Sequence, residues 1–281
     1  MRLPRSSGIL LHPTSLPAKH GIGDLGADAY RFADFLHESG QRIWQVLPLG
    51  PTGPTHSPYQ CYSAYAGNPL LISLPHLVDE GLLDAESIAN APEFDDAYVD
   101  YDKVAQFKET ALQKASRRFH EGGADHLREE YEHFCSDNAG WLDDYALFRA
   151  LKAAQGDASW NEWEEGLIRR DPNVLASWKD KLKPQVEDLI FSQFLFFRQW
   201  HALKNYCQER DIAIMGDIPI YVAHDSSDVW SHPDVFHLDE KGLPTMVAGV
   251  PPDYFSSTGQ YWGNPIYRWD VMASRDYAWW T

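Results

Sequence analysis

Little in this sequence is basic. Lys and Arg number 24 against 41 Asp and Glu, a formal net charge of −17. A field of that sign repels phosphate backbones, which argues against sequence-independent nucleic-acid binding. Cysteine is scarce as well. Cys61, Cys135 and Cys207 are odd in number and widely separated, a pattern of neither a disulfide framework nor a metal site. Long apolar runs are missing. The N-terminal run, Ile9 to Leu11, is too short for a signal-peptide core. The most apolar segment, Leu189 to Trp200, is interrupted by Ser192, Gln193, Arg198 and Gln199, where a membrane span needs ~18 apolar residues. The expectation is a soluble, cytoplasmic chain with no nucleic-acid or membrane partner.

The rest of the composition is globular, 44% hydrophobic and 23% charged, which excludes disordered, collagen-like and coiled-coil classes. The length fits one or two domains, or a single barrel. Aromatic content stands out, with 11 Trp, 14 Tyr and 13 Phe making 14% of the chain. Tyr and Trp build flat amphipathic contact surfaces as well as cores. An acidic, aromatic-rich protein suits a neutral, hydroxyl-rich ligand such as a sugar; a large aromatic core accounts equally for the same composition.

Residues 8–12 form a short apolar run ended by Pro13 and read as a buried strand. Asp24 reads as the N-cap of a helix carrying Leu25, Ala29, Phe32, Ala33 and Leu36, with Gly40 in the left-handed position past its end. Residues 42–49 read as a second strand, and strand, helix and strand in forty residues make a βαβ unit with parallel pairing. Residues 50–70 are a loop rich in Pro, Gly, Ser and Tyr, too long for a mere connector. From 76 to 184 there are helical patterns, at 101–119, 126–134 and 141–154, and no convincing strand. A long amphipathic helix starts at Lys183-Pro184 and carries Val186, Leu189, Ile190, Phe194, Phe197, Trp200, Leu203 and Tyr206. It feeds the clearest strand, Ile212 to Val222. Pro219 cannot donate to a ladder, so regular pairing is expected to end near Gly216, leaving Asp217 at the strand's C-terminal end.

The expected fold class is α/β, a partial (β/α)8 TIM barrel holding its first strands only, with a helical insertion subdomain. The expected divisions are 1–70, the first βα units with a substrate loop; 71–184, the insertion; and 185–281, the third strand region with a second substrate loop. Only three strands are countable, and the apolar helical segment Trp269 to Thr281 has nothing after it to pack against. An N-terminal portion of a longer protein is therefore expected, with a compact non-barrel α/β domain as the alternative.

Gly21-Ile-Gly-Asp-Leu-Gly matches G-x-G-x-x-G ahead of a helix. A dinucleotide site needs these glycines directly after the first strand and an acid about 20 residues on. Here Pro13 to His20 intervene and the second strand ends Leu47-Pro48-Leu49, so a glycine loop before a helix is preferred. The 12 histidines include no H-E-x-x-H pair. His224, His232 and His237 read as capping, packing or solvent-facing, and neither metal nor cofactor is expected. No G-x-S-x-G occurs, and Ser226-Ser227 read as loop or cap residues.

Two stretches are richer. Ser57-Pro58-Tyr59-Gln60, with Tyr62, Ser63 and Tyr65, puts hydroxyls and rings on the long loop. Residues 249–267 set Tyr254, Phe255, Tyr261, Trp262 and Tyr267 beside the amides of Gln260 and Asn264, in a stretch expected to be neither regular helix nor strand. Rings stack on the apolar faces of sugars, and amides bridge adjacent hydroxyls; anchoring of the loop to the body is the competing reading. A carboxylate at Asp217 suits clamping a sugar's hydroxyls.

Several segments carry a resemblance. They are Ser7-Gly-Ile-Leu-Leu-His-Pro-Thr-Ser-Leu-Pro, Trp44-Gln-Val-Leu-Pro-Leu-Gly-Pro-Thr-Gly, Ser57-Pro-Tyr, Ala66-Gly-Asn-Pro-Leu-Leu-Ile, Gly216-Asp-Ile-Pro-Ile-Tyr-Val-Ala-His-Asp-Ser-Ser-Asp-Val-Trp, and Val247-Ala-Gly-Val-Pro-Pro-Asp-Tyr-Phe through Trp262-Gly-Asn-Pro. In that order they resemble the 4-α-glucanotransferases of glycoside hydrolase family 77, also called amylomaltases or disproportionating enzymes. The resemblance implies a (β/α)8 barrel with helical insertions and retaining transfer of α-1,4-glucan segments between maltooligosaccharides. A carboxylate nucleophile and a second carboxylic acid would carry that chemistry. It implies α-1,4-glucans as partners and substrate contacts at Ser57, Tyr59, Gln260, Trp262 and Asn264. It further implies a loop tip at Tyr254 and Phe255 that closes over the donor, and a sugar-contacting carboxylate at Asp217.

There are two departures. Pro54 follows Pro51-Thr-Gly where many members carry a Tyr of an accessory glucan site. The nucleophile motif, Arg-x-Asp-His-Phe-Arg-Gly, does not occur in these residues, so no catalytic residue is assigned and the isolated chain is expected to lack transferase activity. The alternative is a non-catalytic α-glucan-binding fragment. As a control on the glycine loop, titration with NAD is expected to give no saturable binding; binding lost in Gly21→Ala or Gly23→Ala would favour a dinucleotide site.

Overall fold

The computed structural model describes residues 5–280. Met1–Pro4, the start of the stretch searched for a leader, and Thr281, the last residue of the closing apolar segment, lie outside it. The elements run β1 (Gly8–Leu10), α1 (Ala27–Glu38), β2 (Ile43–Gln45), α2 (Leu74–Asp79), α3 (Ala85–Ala89), α4 (Tyr101–His120), α5 (Arg128–Asp137) and α6 (Leu142–Ala154). They continue α7 (Glu165–Ile168), α8 (Pro172–Lys181), α9 (Lys183–Gln208), β3 (Ala213–Met215), α10 (Ser227–Ser231), β4 (Val247–Val250), β5 (Gln260–Pro265) and α11 (Trp269–Ser274). Among the described residues no strand falls between 76 and 184, and no helix is long and apolar enough to cross a membrane. Two compact units emerge. One comprises Met1–Pro51, Gly67–Ala139 and Glu187–Ile218; the other comprises Thr52–Ala66, Gly140–Val186 and Pro219–Thr281.

The first unit is α/β. Its sheet has the order β1-β2-β3, all parallel, with Gly8, Ile43 and Ala213 in one register row and Leu10, Gln45 and Met215 in another. The three runs read as strands are longer than the ladders they form. Pro13, Pro48 and Pro219 bring no N–H to a ladder, so pairing stops before each of them. Helix α1 buries Ala29, Ala33 and Leu36 in a core shared with Trp44, Leu71, Phe191, Phe194 and Leu203. It ends at Glu38, and Gly40 takes φ 74°, the left-handed value expected of it.

Asp24 does not cap α1. Gly26 is the N-cap, without a side-chain cap bond. Asp24 Oδ1 accepts the Gly26 N–H at 2.9 Å, while its Oδ2 lies 3.3 Å from Lys108 Nζ. The reason is Lys108, which is fully buried on α4 and needs a compensating charge. Its ammonium also donates to the carbonyls of Leu70 (2.7 Å) and Ile72 (2.9 Å).

Those two carbonyls belong to an irregular stretch that crosses this unit's core. Gln193 and Gln199, both buried on α9, grip its ends like surrogate peptide groups. Gln193 accepts the Gly67 N–H (2.7 Å) and donates to the Gly67 carbonyl (2.9 Å). Gln199 does the same at Ser73, at 2.7 and 3.1 Å. Position 67 must be glycine, because a Cβ there would lie 1.9 Å from the Phe196 ring.

The second unit packs α6, α7, α8, α10 and α11 around aromatic residues. Phe148, Trp163 and Trp230 have ring centroids 5.5–5.9 Å apart. Here the structure corrects one expectation. Residues 247–265 do form regular strands, since β4 and β5 pair antiparallel with an irregularity between Val247 and Gly249. Gly249 permits the close approach, as a Cβ there would meet the Gln260 carbonyl at 2.6 Å, and Gly259 turns the chain at φ 75°. Pro251-Pro252 fall in the connecting loop, where their missing N–H groups cost nothing. The closing segment packs on rings that precede it or lie within it. Trp279 lies 5.3 Å from the Tyr267 ring, and Trp280 stacks on Trp269 at 6.2 Å.

Replacing Gln193 with Ala would strand the buried Gly67 N–H and carbonyl. Urea unfolding is expected to show a loss of about 2–4 kcal/mol; a loss below ~1 kcal/mol would mean the clamp is dispensable.

Candidate functional site

Ser57 and Tyr59 ride a loop that closes on itself. Thr52 bridges Cys61, and the Gly53 N–H donates to the Gln60 carbonyl at 2.9 Å. Inside, Ser57 Oγ accepts the Tyr59 N–H (3.3 Å) and the Ser57 carbonyl accepts the Gln60 N–H (3.1 Å). These bonds fix the backbone, and the Tyr59 ring stays 45% exposed. The return arm is anchored through alternate residues. The Tyr62 carbonyl accepts from the Ser227 N–H (2.9 Å) and Oγ–H (3.1 Å), and the Ala64 N–H donates to Asp228 Oδ2 at 3.0 Å.

The β4–β5 hairpin carries the other aromatic candidates. Tyr254 and Phe255 form its tip, with ring centroids 4.1 Å apart and both largely in solvent. Asp253 holds them there. Its Oδ1 accepts the N–H of Phe255 (2.9 Å) and of Ser256 (2.8 Å), and Ser256 Oγ donates to the Gly259 carbonyl (2.7 Å). Along β5, Tyr261 and Trp262 are exposed, and Trp262 Nε1–H donates to Gln260 Oε1 at 3.0 Å. That bond orients the indole and leaves the amide Nε2 of Gln260 as a donor. Asn264 is buried, and its Nδ2 donates to the Val222 carbonyl at 2.9 Å. So Tyr254 meets Phe255, Gln260 meets Trp262, and Ser57 meets the Tyr59 backbone. Asp217 belongs to the first unit, two residues past β3 and partly exposed.

Sequence reasoning missed Asp228. It is 3% exposed at the start of α10, and burial pushes its carboxyl up to about 7 against two backbone hydrogen bonds that lower it. It lines a cavity of about 380 Å³ with Tyr65, Trp141, His232, Arg275 and Trp279. None of the eight residues proposed as substrate contacts lines that cavity. No composition or spacing signal marks Asp228, because one acid in a polar run looks like a surface residue.

Lys152 was also missed. It is buried and pairs with Asp225 at 2.5 Å, while Asp225 Oδ1 accepts the Trp160 N–H at 3.3 Å. A signal existed here, since Tyr145, Phe148 and Lys152 share one helical face. Ser226 is a cap residue, and His224 packs beside the Trp160 ring. Ser226 Oγ caps α10 by accepting the Val229 N–H (3.3 Å), and His224 Nε2 meets the Gly242 carbonyl at 2.7 Å.

A family model described as 4-alpha-glucanotransferase matches residues 11–281. The 4-alpha-glucanotransferase of Synechocystis sp. is 51% identical over 277 residues, 98% of this chain and 55% of the relative. That of Thermus thermophilus is 51% identical over 280 residues, 100% of this chain and 55% of the relative. The amylomaltase of Streptococcus agalactiae in complex with acarbose superposes with a TM-score of 0.94 at 40% identity, covering 99% of this chain and 56% of that one. The chain thus spans about half the length of the relatives it matches.

The raised carboxyl of Asp228 has a consequence for stability. In the unfolded chain the group ionises near its ordinary 3.8, and in the folded protein only near 7. The folded state is therefore penalised progressively as pH rises from about 4 to about 7, and the penalty is constant above that. Asp228→Asn removes it, so the variant is expected to gain stability over the wild type as pH rises through this window. Parallel unfolding curves for the two proteins, offset by a pH-independent amount, would contradict the assignment.

Proposed function

The chain belongs to the 4-alpha-glucanotransferase family, glycoside hydrolase family 77, and from that premise we propose that it binds α-1,4-glucans through the β4–β5 hairpin and the 52–66 loop. The observation that carries this reading is the hairpin. Tyr254, Phe255, Tyr261 and Trp262 are all exposed, with Tyr254 at 90%, although burying them would be favourable. Asp253 and Gln260 hold rings of this set in place at no benefit to the core. Exposed and preorganised aromatic surface suits the apolar face of a pyranose. Amides and hydroxyls beside it suit the sugar's hydroxyl edge. In this reading Gln260 donates through Nε2, Asn264 accepts through Oδ1, and Ser57 and Tyr59 contribute hydroxyls. Asp217 accepts hydrogen bonds from sugar hydroxyls. Tyr254 and Phe255 fold over the bound donor and exclude water, which favours a sugar acceptor over hydrolysis.

The reaction we propose for the family's chemistry in this protein is retaining transfer of α-1,4-glucan segments between maltooligosaccharides. It proceeds by two displacements through a covalent glucosyl-enzyme. We assign no nucleophile or acid/base among these residues. The fold would be the opening part of a (β/α)8 barrel, divided at 70 and 184 by the helical insertion. The sheet supports this. All-parallel sheets are covered on both faces, yet Leu10 and Met215, in one register row, are 54% and 40% exposed, and β1 and β3 are open edges among the described residues.

Acarbose titrated into the 281-residue chain should bind saturably, and Trp262→Ala should weaken binding about tenfold, the equivalent of ~1.4 kcal/mol. Tyr254→Ala should weaken binding with an unchanged melting temperature. Equal affinity in all three proteins would overturn the hairpin as the glucan surface. Maltotriose incubated with the chain should give neither glucose nor longer maltodextrins. Saturable binding without turnover is also what a non-catalytic glucan-binding piece would show; turnover would prove the missing nucleophile assignment wrong. In a full-length protein, Asp217→Asn should lower activity and leave the melting temperature unchanged.

A further inference from the structure

We propose that Asp228 is a positioning residue whose carboxylate, by taking the Ala64 N–H, sets the placement of the loop that carries Ser57 and Tyr59. The inference rests on the glucan-binding reading for what that placement serves. The loop is closed by its own hydrogen bonds between residues 52 and 61, so it moves as a piece. The arm behind it is held at Tyr62 by Ser227, at Ala64 by Asp228 and at Tyr65 by the Trp279 carbonyl. The first two contacts differ in kind. Ser227 supplies neutral donors; Asp228 supplies a charged acceptor at 3.0 Å, the stronger type of bond. Both anchors sit at the start of α10, whose first turn is itself fixed by the Ser226 cap.

Among the described residues no cation pairs with this carboxylate. From the loop it faces the Cys61 thiol and the Tyr65 phenol, and from beyond β5 the Tyr267 phenol. His232 and Arg275 share its cavity, but Arg275 pairs with Asp234 and His232 Nδ1 meets Ser231 Oγ at 2.8 Å. From α6, Arg149 lies 4.0 Å over the Tyr62 ring, Lys152 pairs with Asp225, and Asp144 pairs with Arg170. The ionised group therefore costs stability and has the Ala64 N–H as its partner across the loop. Protonation weakens that bond, so the hold on the loop loosens as the group takes up its proton near neutral pH.

The test compares wild type, Asp228→Asn and Asp228→Ala at pH 5.5 and pH 8. It reads amide hydrogen exchange at Ala64 and across 53–61, acarbose binding, and unfolding. Asn keeps the shape and an acceptor but not the charge, and it carries the decision should the Ala variant fail to fold. At pH 8 the Asn variant should exchange about tenfold faster at Ala64 and bind acarbose about tenfold more weakly, while being globally more stable than wild type. At pH 5.5 the two proteins should converge on both readouts. A purely structural Asp228 would move exchange, binding and stability in the same direction. Unchanged Ala64 protection in Asp228→Asn at pH 8 overturns the proposal, as does unchanged acarbose affinity despite faster exchange. A wild-type chain that binds no acarbose at either pH sinks the glucan reading instead, and exchange at Ala64 then still decides whether Asp228 holds the loop.

Discussion

Buried backbone must find hydrogen-bond partners, and Gly67–Ser73 is the stretch where this protein meets that demand without a sheet or a long helix. The Gly67 and Ser73 peptides are gripped by Gln193 and Gln199, the carbonyls of Leu70 and Ile72 by Lys108, and that of Leu71 by the Leu25 N–H. The Asn68 N–H reaches the Leu49 carbonyl at 2.8 Å, and Asn68 in turn accepts the Leu70 N–H. Elements α1, α4, α9 and the end of β2 are thereby tied to one irregular thread. The ammonium of Lys108 then needs Asp24, which bends the entry to α1. Each polar group in the set exists to satisfy the one before it.

The second unit applies polar and aromatic groups differently. Its core is aromatic and well packed, yet its hairpin leaves rings in water and its α10 buries a carboxylate that would be more comfortable neutral. Both features work against stability. Asp253, Gln260 and Ser256 spend their hydrogen bonds on fixing exposed groups in place. That distribution of cost, concentrated on the hairpin and on the turn of α10 that anchors the 52–66 loop, is characteristic of binding surfaces carried on a rigid body.

Where one physical signal dominated, the sequence could be read. The βαβ unit followed from apolar runs bounded by proline and from Gly40, and Asp217 emerged just past β3 because Pro219 limits pairing. The hairpin was misread because Pro251, Pro252 and three glycines between 249 and 263 looked like loop chemistry. Gly249 is what lets the two strands close. Gln193 and Gln199 looked like polar breaks in an apolar helix, and their role depends on a backbone 126 residues away. Lys108 sits at helical spacing from Val104, Ala111, Leu112 and Ala115, so its burial was legible from periodicity while its partner Asp24 was not. Asp228 carried no pattern at all. Of the candidate site, the aromatic residues were visible and the groups that hold them were hidden.

The paired glutamines have one more consequence. They are six residues apart on α9 and grip peptides six residues apart, running in the same direction. Six residues of helix advance only ~9 Å, where six extended residues would cover about 20 Å. The short 3-10 turn at Pro69–Leu71 takes up the difference. The helix therefore acts as a ruler for the thread. One residue added to or removed from 67–73 would put one of the two peptides out of reach of its glutamine. A stretch that looks like a connector should thus be among the least tolerant of length change in the chain, while the 251–259 turn, held by hydrogen bonds among its own residues, should accept such changes.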